Sequence, residues 1–159
     1  ELEASLAYSG RYGLTEQVPG LPLDYGKLVL SPTRTYFPII RDVLNLSREK
    51  VHGIVHCSGG GQTKILHFIE SMKVIKDRLF EIPPLFQIIQ EASGTSWQEM
   101  YRVFNMGHRM ELYVPEDFAP EIIRIAGNYC IDARIVGRVE AAEEASLEIY
   151  SEKGRFTYS

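Results

Sequence analysis

The prediction of the fold starts from residues 51–61, which read VHGIVHCSGGG. The first seven residues form a short run rich in β-branched side chains, a pattern typical of a buried strand. Ser58 and the three glycines that follow predict a loop. Apolar residues then recur at helical spacing from Ile65 to Met72. The segment and its sequel therefore predict a strand, a glycine-rich loop and a helix in succession.

The segments on both sides alternate between helical and extended patterns. Periodicity and turn signals predict helices at 36–44, 83–93, 97–104 and 115–128, and strands near 73–77, 107–114, 132–141 and 145–150, followed by an extended tail. Ser96 and Glu99 fit a capping box at the start of the third of these helices. Because helices and strands interleave, the pattern favours an α/β (α+β) fold in which helices cover a sheet.

Composition excludes several classes of protein. The 159 residues include 17 Lys plus Arg and 21 Asp plus Glu, for a net charge of −4, so nucleic acid is not an expected partner. The longest apolar runs fall far short of the about 20 residues that a membrane span requires. The densest basic stretch, Lys73–Arg78, is interrupted by an acid and is predicted to be a solvated edge strand or a turn.

The ends of the chain and its two cysteines carry further expectations. The sequence begins with Glu1 rather than Met, and we expect it to be part of a longer protein. Residues 1–24 are rich in turn signals and are predicted to be an extended arm or the end of a preceding domain. Cys57 and Cys130 cannot form a disulfide framework, and their spacing to other residues suggests no metal site. Free thiols in a reducing, cytoplasmic compartment are the simplest interpretation.

The glycine loop is the first candidate functional segment. Consecutive glycines allow the backbone to approach a ligand and to direct several N–H groups at one anion, so a loop that binds phosphate or substrate is one interpretation. A tight turn between a strand and a helix is the other. His56 could be a general base, a hydrogen-bond donor to substrate or a histidine satisfied in the core, and the residue pattern alone favours the core. Cys57 points to the opposite face of the strand and is predicted to be a small core residue.

Two further segments combine polar and aromatic side chains. Ser31–Thr35 precedes a helix, where Ser and Thr are ordinary N-caps. Arg34 is unfavourable at a helix start, which indicates an acidic partner or a bound anion. Met100–Gly107 is either a site segment or a helix that packs Tyr and Phe into the core and is stopped by Asn105 and Gly107.

These three segments together resemble one family. The Ser31–Arg34 segment, the strand that ends in His-x-x-Gly-Gly-Gly and the Met-Tyr-Arg-x-Phe-Asn-x-Gly segment at 100–107 are similar, in that order, to the carboxy-terminal half of aminoimidazole ribonucleotide synthetase. This enzyme of de novo purine synthesis is also called phosphoribosylformylglycinamidine cyclo-ligase. The resemblance extends from about Tyr25 to Glu140. The glycine loop alone is also similar to the wider superfamily, which includes formylglycinamidine ribonucleotide synthetase, selenophosphate synthetase and thiamine monophosphate kinase.

The sequence departs from the family after the glycines. The family usually has Glu, Asn, Pro and Arg there, whereas this chain has Gln62–His67. Lys64 could supply the positive charge of the missing Arg. The departure keeps two alternatives open, which are another enzyme of the same superfamily and a non-catalytic module that binds a phosphate ligand.

The resemblance implies a fold, a reaction and partners. The fold would be a three-layer α/β/α domain with a mixed sheet, partly similar to a ferredoxin-like arrangement. The enzyme would use ATP and Mg²⁺ to convert formylglycinamidine ribonucleotide to aminoimidazole ribonucleotide. Residues 25–159 would be the substrate-side domain, with the ATP and metal ligands mainly on an amino-terminal domain, so that this chain would be inactive alone and require no cofactor itself. The full-length protein would be a homodimer.

The resemblance also assigns candidate site residues. His56 and Asn105 would be polar contacts to the substrate at the catalytic centre, and no residue is assigned to a metal. The remaining residues, predicted to bind substrate or its phosphate, are Ser31, Thr33, Arg34, Ser58, Gly59, Gly60, Gly61, Tyr101, Arg102 and Gly107.

Overall fold

The computed structural model describes residues 10–32 and 34–159. The α-helices in this part of the chain are α1 (Tyr25–Val29), α2 (Phe37–Ser47), α3 (Pro84–Ser93), α4 (Trp97–Val103) and α5 (Ala119–Asn128). The strands are β1 (Gly53–His56), β2 (Met72–Lys76), β3 (Met110–Tyr113), β4 (Gly137–Ala141), β5 (Ser146–Ser151) and β6 (Gly154–Tyr158). Short 3₁₀ helices occupy Arg48–Lys50, Gly61–Phe68 and Glu116–Phe118.

The described strands form two sheets. β1 and β3 pair antiparallel, with Ile54 opposite Leu112 and Val55 opposite Glu111. The second sheet has the order β4-β2-β5-β6, in which β2 is parallel to β5 and the other neighbours are antiparallel. β4 and β5 are consecutive in the chain, yet β2 lies between them.

Helices pack against both faces of the β1–β3 pair. One core cluster joins Val55 of β1 and Cys57, which directly follows β1, to the centre of the larger sheet and to Met100 and Tyr101 of α4. A second cluster is formed by α2 and α5, with Leu112 of β3 packed against it. Because neighbouring residues of a strand point to opposite faces, these clusters lie on opposite sides of the pair. The predicted α+β class with a mixed sheet is confirmed.

Most predicted elements occur, and their ends follow local chemistry. Ser96 caps α4 by accepting a hydrogen bond from the N–H of Glu99 at 3.3 Å, as the capping-box pattern predicts. Gly94 ends α3 in the left-handed conformation, with φ of 66°. The prolines at the starts of α2, α3 and α5 lie in the first turn, where a missing N–H costs nothing.

Three predictions are wrong in detail. The helix expected after the glycine loop is a 3₁₀ helix that ends at Phe68, and Met72 already belongs to β2. The strand predicted over residues 132–141 begins only at Gly137, so residues 132–136 are not part of it. The extended tail expected after residue 150 contains a further paired strand, β6. The stretch predicted as a solvated edge is instead β2, an interior strand of its sheet, and the side chain of Lys76 is buried.

The segment before α1 is only partly described. In residues 10–24, Val18 is buried, Gln17 forms a single β-bridge with Asp24, and the Tyr12 ring stacks on Tyr25 at 4.4 Å between centroids. The predicted division of the chain at residue 24 stays a prediction. In the described part of the chain, no helix has the length and apolar character needed to span a membrane.

Candidate functional site

The glycine loop has a backbone that only glycine adopts readily. Gly59, Gly60 and Gly61 have φ values of 60°, 78° and 47°, all in the left-handed region. Three successive residues of this kind turn the chain sharply between the end of β1 and the 3₁₀ helix that begins at Gly61. The conformation of the loop therefore requires glycine, or a residue that tolerates a left-handed φ, at all three positions.

The third glycine also brings two of the predicted site segments together. A Cβ at Gly61 would lie 2.4 Å from the carbonyl oxygen of Phe104, so no larger residue fits against this backbone. Next to it, the side-chain amide of Gln62 donates to the carbonyl oxygen of Asn105 at 2.6 Å. The loop thus packs directly on the end of the 100–107 segment.

The first two glycines face outward and leave their N–H groups available. Gly59 and Gly60 are exposed, and within the described residues their amides donate to no protein acceptor. A Cβ at Gly59 would meet nothing within 4 Å. Lys64 is tied to the same loop, because its ammonium group donates to the carbonyl oxygen of Ser58 at 2.9 Å. Free amides next to a lysine form a surface suited to an anion.

An open cleft lies on the face of β1 opposite the core cluster that contains Val55. Its volume is about 560 Å³, and the lining residues are Arg34, Thr35, Tyr36, Phe37, Ile40, Ile54, His56 and Met110. The floor is mainly apolar, and it carries one guanidinium group, that of Arg34, and one imidazole, that of His56. The structure therefore places two of the predicted site residues, from distant parts of the sequence, on one cleft.

His56 differs from the expectation of a core histidine. Its side chain is exposed on the cleft side of β1, and its Nδ1 lies 3.1 Å from the hydroxyl oxygen of Ser58. The alternation of β1 gives the reason, because Val55 and Cys57 fill the core positions and His56 must face away from them. Burial raises the pKa of the Cys57 thiol to about 12, with the nearby Glu111 carboxylate adding to the effect, so this thiol is not a nucleophile at neutral pH.

A buried polar network lies beneath the loop, and no sequence motif predicted it. We call it the Lys76 network, made of Lys76, Glu111, Gln62 and Tyr113. The ammonium of Lys76 lies 2.6 Å from a carboxylate oxygen of Glu111, and the other carboxylate oxygen accepts from the Tyr113 hydroxyl at 2.8 Å. Glu111 is buried and lies between Met110 and Leu112 in β3. Local patterns could not reveal it, since Lys76 and Glu111 are 35 residues apart.

The structure places other predicted site residues away from the loop surface. Tyr101 is buried at 1% exposure and packs against Phe156, and it lines a second cleft near residues 77–82. Arg102 is exposed, and its contacts are with Glu99 at 3.5 Å and the Tyr158 ring at 5.9 Å.

Asn105 and Gly107 form a turn. The Asn105 side chain accepts from the N–H of Gly107 at 2.9 Å, and Gly107 has a φ of 97°. These contacts give Asn105 a structural role in this turn. Ser31 is exposed and its N–H donates to Leu28, and Thr33 lies outside the described residues.

The chemistry of a metal site is not present in the cleft. The lining residues include no carboxylate, and in residues 10–32 and 34–159 no group of three or more His, Cys, Asp or Glu side chains could hold a metal ion. Mg²⁺ prefers oxygen ligands, usually one or two carboxylates together with substrate phosphates. The residues of this cleft therefore do not fit a Mg²⁺ site.

Comparison with known proteins gives the same relationship as the motifs. A family model described as "AIR synthase related protein, C-terminal domain" matches residues 24–150. Proteins named phosphoribosylformylglycinamidine cyclo-ligase are similar, including that of Methanopyrus kandleri, with 37% identity over 123 residues, 74% of this chain and 34% of the relative. The corresponding protein of Geobacter metallireducens is 32% identical over 142 residues, 87% of this chain and 40% of the relative.

The matched region and the length of the relatives place the chain within its family. It spans about a third of the length of these curated relatives. The family match covers both the glycine loop and the 100–107 segment, on which the resemblance depended. The chain belongs to the AIR synthase related proteins, whose C-terminal domain it matches.

Proposed function

We propose that this chain is the substrate-side domain of an ATP-dependent cyclo-ligase that converts formylglycinamidine ribonucleotide to aminoimidazole ribonucleotide in de novo purine biosynthesis. The observation that carries the proposal is the identity of 32 to 38% with proteins of that name over most of this chain. The glycine loop and the adjoining cleft support it, because a ribonucleotide substrate carries a phosphate group and a polar ring precursor. The proposed setting is the cytoplasm, in a homodimer of the full-length protein.

The loop and the cleft would bind different parts of the substrate. The free amides of Gly59 and Gly60, with Lys64, would hold the phosphate group of the ribonucleotide. Arg34 would balance negative charge from the opposite side of the cleft. His56 would make a polar contact to the reacting part of the substrate, with its ring held through Nδ1 by Ser58.

ATP and Mg²⁺ belong to a different part of the proposed enzyme. When bound, ATP would activate the formyl oxygen of the substrate so that ring closure can release phosphate. The residues that the structure describes do not fit the metal, so we assign them no role in that step. We propose that the amino-terminal domain of the full-length protein binds ATP and Mg²⁺, and that the 159 residues alone do not catalyse the reaction.

A chimeric enzyme would test the reaction. The part of the Methanopyrus kandleri cyclo-ligase that precedes its matched segment would be fused to this chain, and ATP-dependent formation of aminoimidazole ribonucleotide would be measured. We expect the chimera to be active and the 159-residue chain alone to be inactive. Cyclisation by the chain alone would contradict the division of labour between the domains. Phosphate binding by a chimera without activity would favour the non-catalytic alternative.

Two matched glycine substitutions would test the loop. Gly59 and Gly94 both have left-handed φ values, 60° and 66°, and a Cβ at either position would meet nothing within 4 Å. An aspartate introduces the same strain at both, but only Gly59→Asp places a negative charge where the phosphate would bind. With both substitutions made in the chimeric enzyme, we expect Gly59→Asp to raise KM for the ribonucleotide about tenfold or more, and Gly94→Asp to leave it unchanged. Equal KM values for the two variants would exclude the loop as the phosphate site.

A further inference from the structure

The hydrogen bonds of Lys76 account for every proton on its ammonium group. A protonated lysine has three N–H donors. Here they meet Glu111 Oε1 at 2.6 Å, the Gln62 side-chain oxygen at 2.9 Å and the Gln62 backbone oxygen at 3.0 Å. Lys76 is 1% exposed and Gln62 is 1% exposed, so water does not replace these contacts.

These bonds hold the residue that directly follows the third glycine. Gln62 is fixed by Lys76 through both its backbone and its side-chain carbonyl groups. Its amide group is in turn fixed on the Asn105 carbonyl oxygen. The Gln62 backbone therefore cannot rotate without breaking a buried hydrogen bond, and the glycine loop ends on a fixed point.

Stability alone does not explain a charged network at this position. Burying an ion pair has a desolvation cost that often cancels its attraction, and well-packed apolar side chains of similar size serve as well or better. Glycine, by contrast, has the greatest backbone freedom of any residue type, and the three glycines must lose that freedom to present their amides in one arrangement. The ion pair between β2 and β3 holds the loop in place before a ligand binds. Binding then costs less conformational entropy than it would for a mobile loop.

We propose that Lys76, with Glu111 as its counter-ion, is a positioning residue that holds the glycine loop in its anion-binding conformation through Gln62. The inference deepens the proposed function and rests on it for the identity of the anion. The ordering of the loop itself is a separate property that can be measured without any ligand.

The decisive experiment replaces the whole ion pair in the 159-residue chain. Lys76→Met combined with Glu111→Leu removes both charges, so neither is left buried without its counter-ion, and the groups that lose a partner, the Tyr113 hydroxyl and the two Gln62 oxygens, are uncharged. Lys73→Met with Glu148→Leu is the matched control, since Lys73 lies on the same strand and pairs with Glu148, and neither side chain is hydrogen-bonded or ion-paired to the described loop residues. Amide hydrogen exchange of Gly61 and Gln62, titration with inorganic phosphate and the unfolding midpoint would be measured for each variant.

The expected results distinguish a role of the ion pair in ordering the loop from a role in the stability of the whole chain. The Lys76 and Glu111 variant should keep a cooperative unfolding transition, exchange the Gly61 and Gln62 amides about tenfold faster and bind phosphate about fivefold more weakly. The control should change neither exchange nor phosphate affinity. Unchanged exchange and affinity in the first variant would overturn the proposal.

A second variant and a measurement on the unaltered chain allow the proposal to be tested even if the double variant does not fold. Should the double variant not fold, Gln62→Met removes the side-chain amide while leaving the ion pair intact, and faster exchange at Gly61 is expected there too. Slow exchange in that variant would count against the proposal. Absence of phosphate binding by the unaltered chain would refute the proposed role of the loop, while the exchange comparison would still decide whether Lys76 orders it.

Discussion

His108 should make the stability of this chain depend on pH between about 6.5 and 4. The side chain is 4% exposed, and its Nε2 accepts a hydrogen bond from the N–H of Phe80 at 3.2 Å. The pKa of His108 is lowered to about 4, chiefly by burial and also by the Lys76 ammonium and the Arg134 guanidinium, while the Glu111 carboxylate opposes the shift. The folded form therefore holds a neutral imidazole that uses Nε2 as an acceptor.

The sign and size of the effect follow from proton linkage. As pH falls below the ordinary histidine pKa of 6.5, the unfolded chain binds a proton that the folded chain does not, so falling pH favours unfolding. The stabilisation is complete above about pH 6.5 and is lost as pH falls through the folded pKa of about 4. Each tenfold difference in proton affinity is worth about 1.4 kcal/mol, so the full loss is about 3 kcal/mol.

Urea unfolding at several pH values would measure this dependence. We expect the free energy of unfolding to fall by about 2 to 3 kcal/mol between about pH 7 and pH 4.5. His108→Gln is the comparison, because a glutamine carbonyl can still accept from Phe80 but does not titrate. Glu148, whose pKa is lowered to about 2 by Lys73, Tyr150 and Arg155, loses its contribution only at lower pH. An equal fall in the free energy of unfolding with pH in the unaltered chain and in His108→Gln would refute the assignment to His108.

Two other predictions concern the glycine loop and the thiols. Gly61→Ala should destabilise the chain by at least about 2 kcal/mol in urea unfolding, because of its left-handed φ and the Phe104 backbone. Gly59→Ala, with open space around it, should cost only about 1 kcal/mol, and equal losses would contradict the close contact. Cys130 is exposed and should react with a thiol reagent at mildly alkaline pH, whereas Cys57 should react only after unfolding, as mass spectrometry of the labelled chain would show.

Much of the fold followed from short-range signals. The strand and glycine loop at 51–61, the capping box at Ser96 and the glycine that ends α3 each depend on residues within a few positions of one another. The positive φ values of the loop agree with the residue type that the sequence places there. Such features were predictable because their causes are local.

The errors have long-range causes. The segment 72–76 contains charges that suggest a solvated edge, but Glu111 neutralises Lys76 from another strand and allows β2 to lie inside a sheet. His56 faces the cleft because its neighbours fill the core, which depends on packing against elements far away in the chain. The cleft forms because α2 and β1 lie side by side. No sequence motif predicts that arrangement.

The position of β2 between β4 and β5 has a consequence for the timing of folding. A ribosome releases β2 before the strands on either side of it exist, and the last strand of that sheet follows roughly 80 residues later. At the usual rate of synthesis this delay is about 4 to 16 seconds. Until β4 emerges, roughly 60 residues after β2, Lys76 and its apolar neighbours have no strand partner in the larger sheet, and a chain released before residue 146 would never acquire its parallel neighbour. The nascent protein should therefore be most vulnerable to aggregation and proteolysis late in its synthesis, until its final strands emerge.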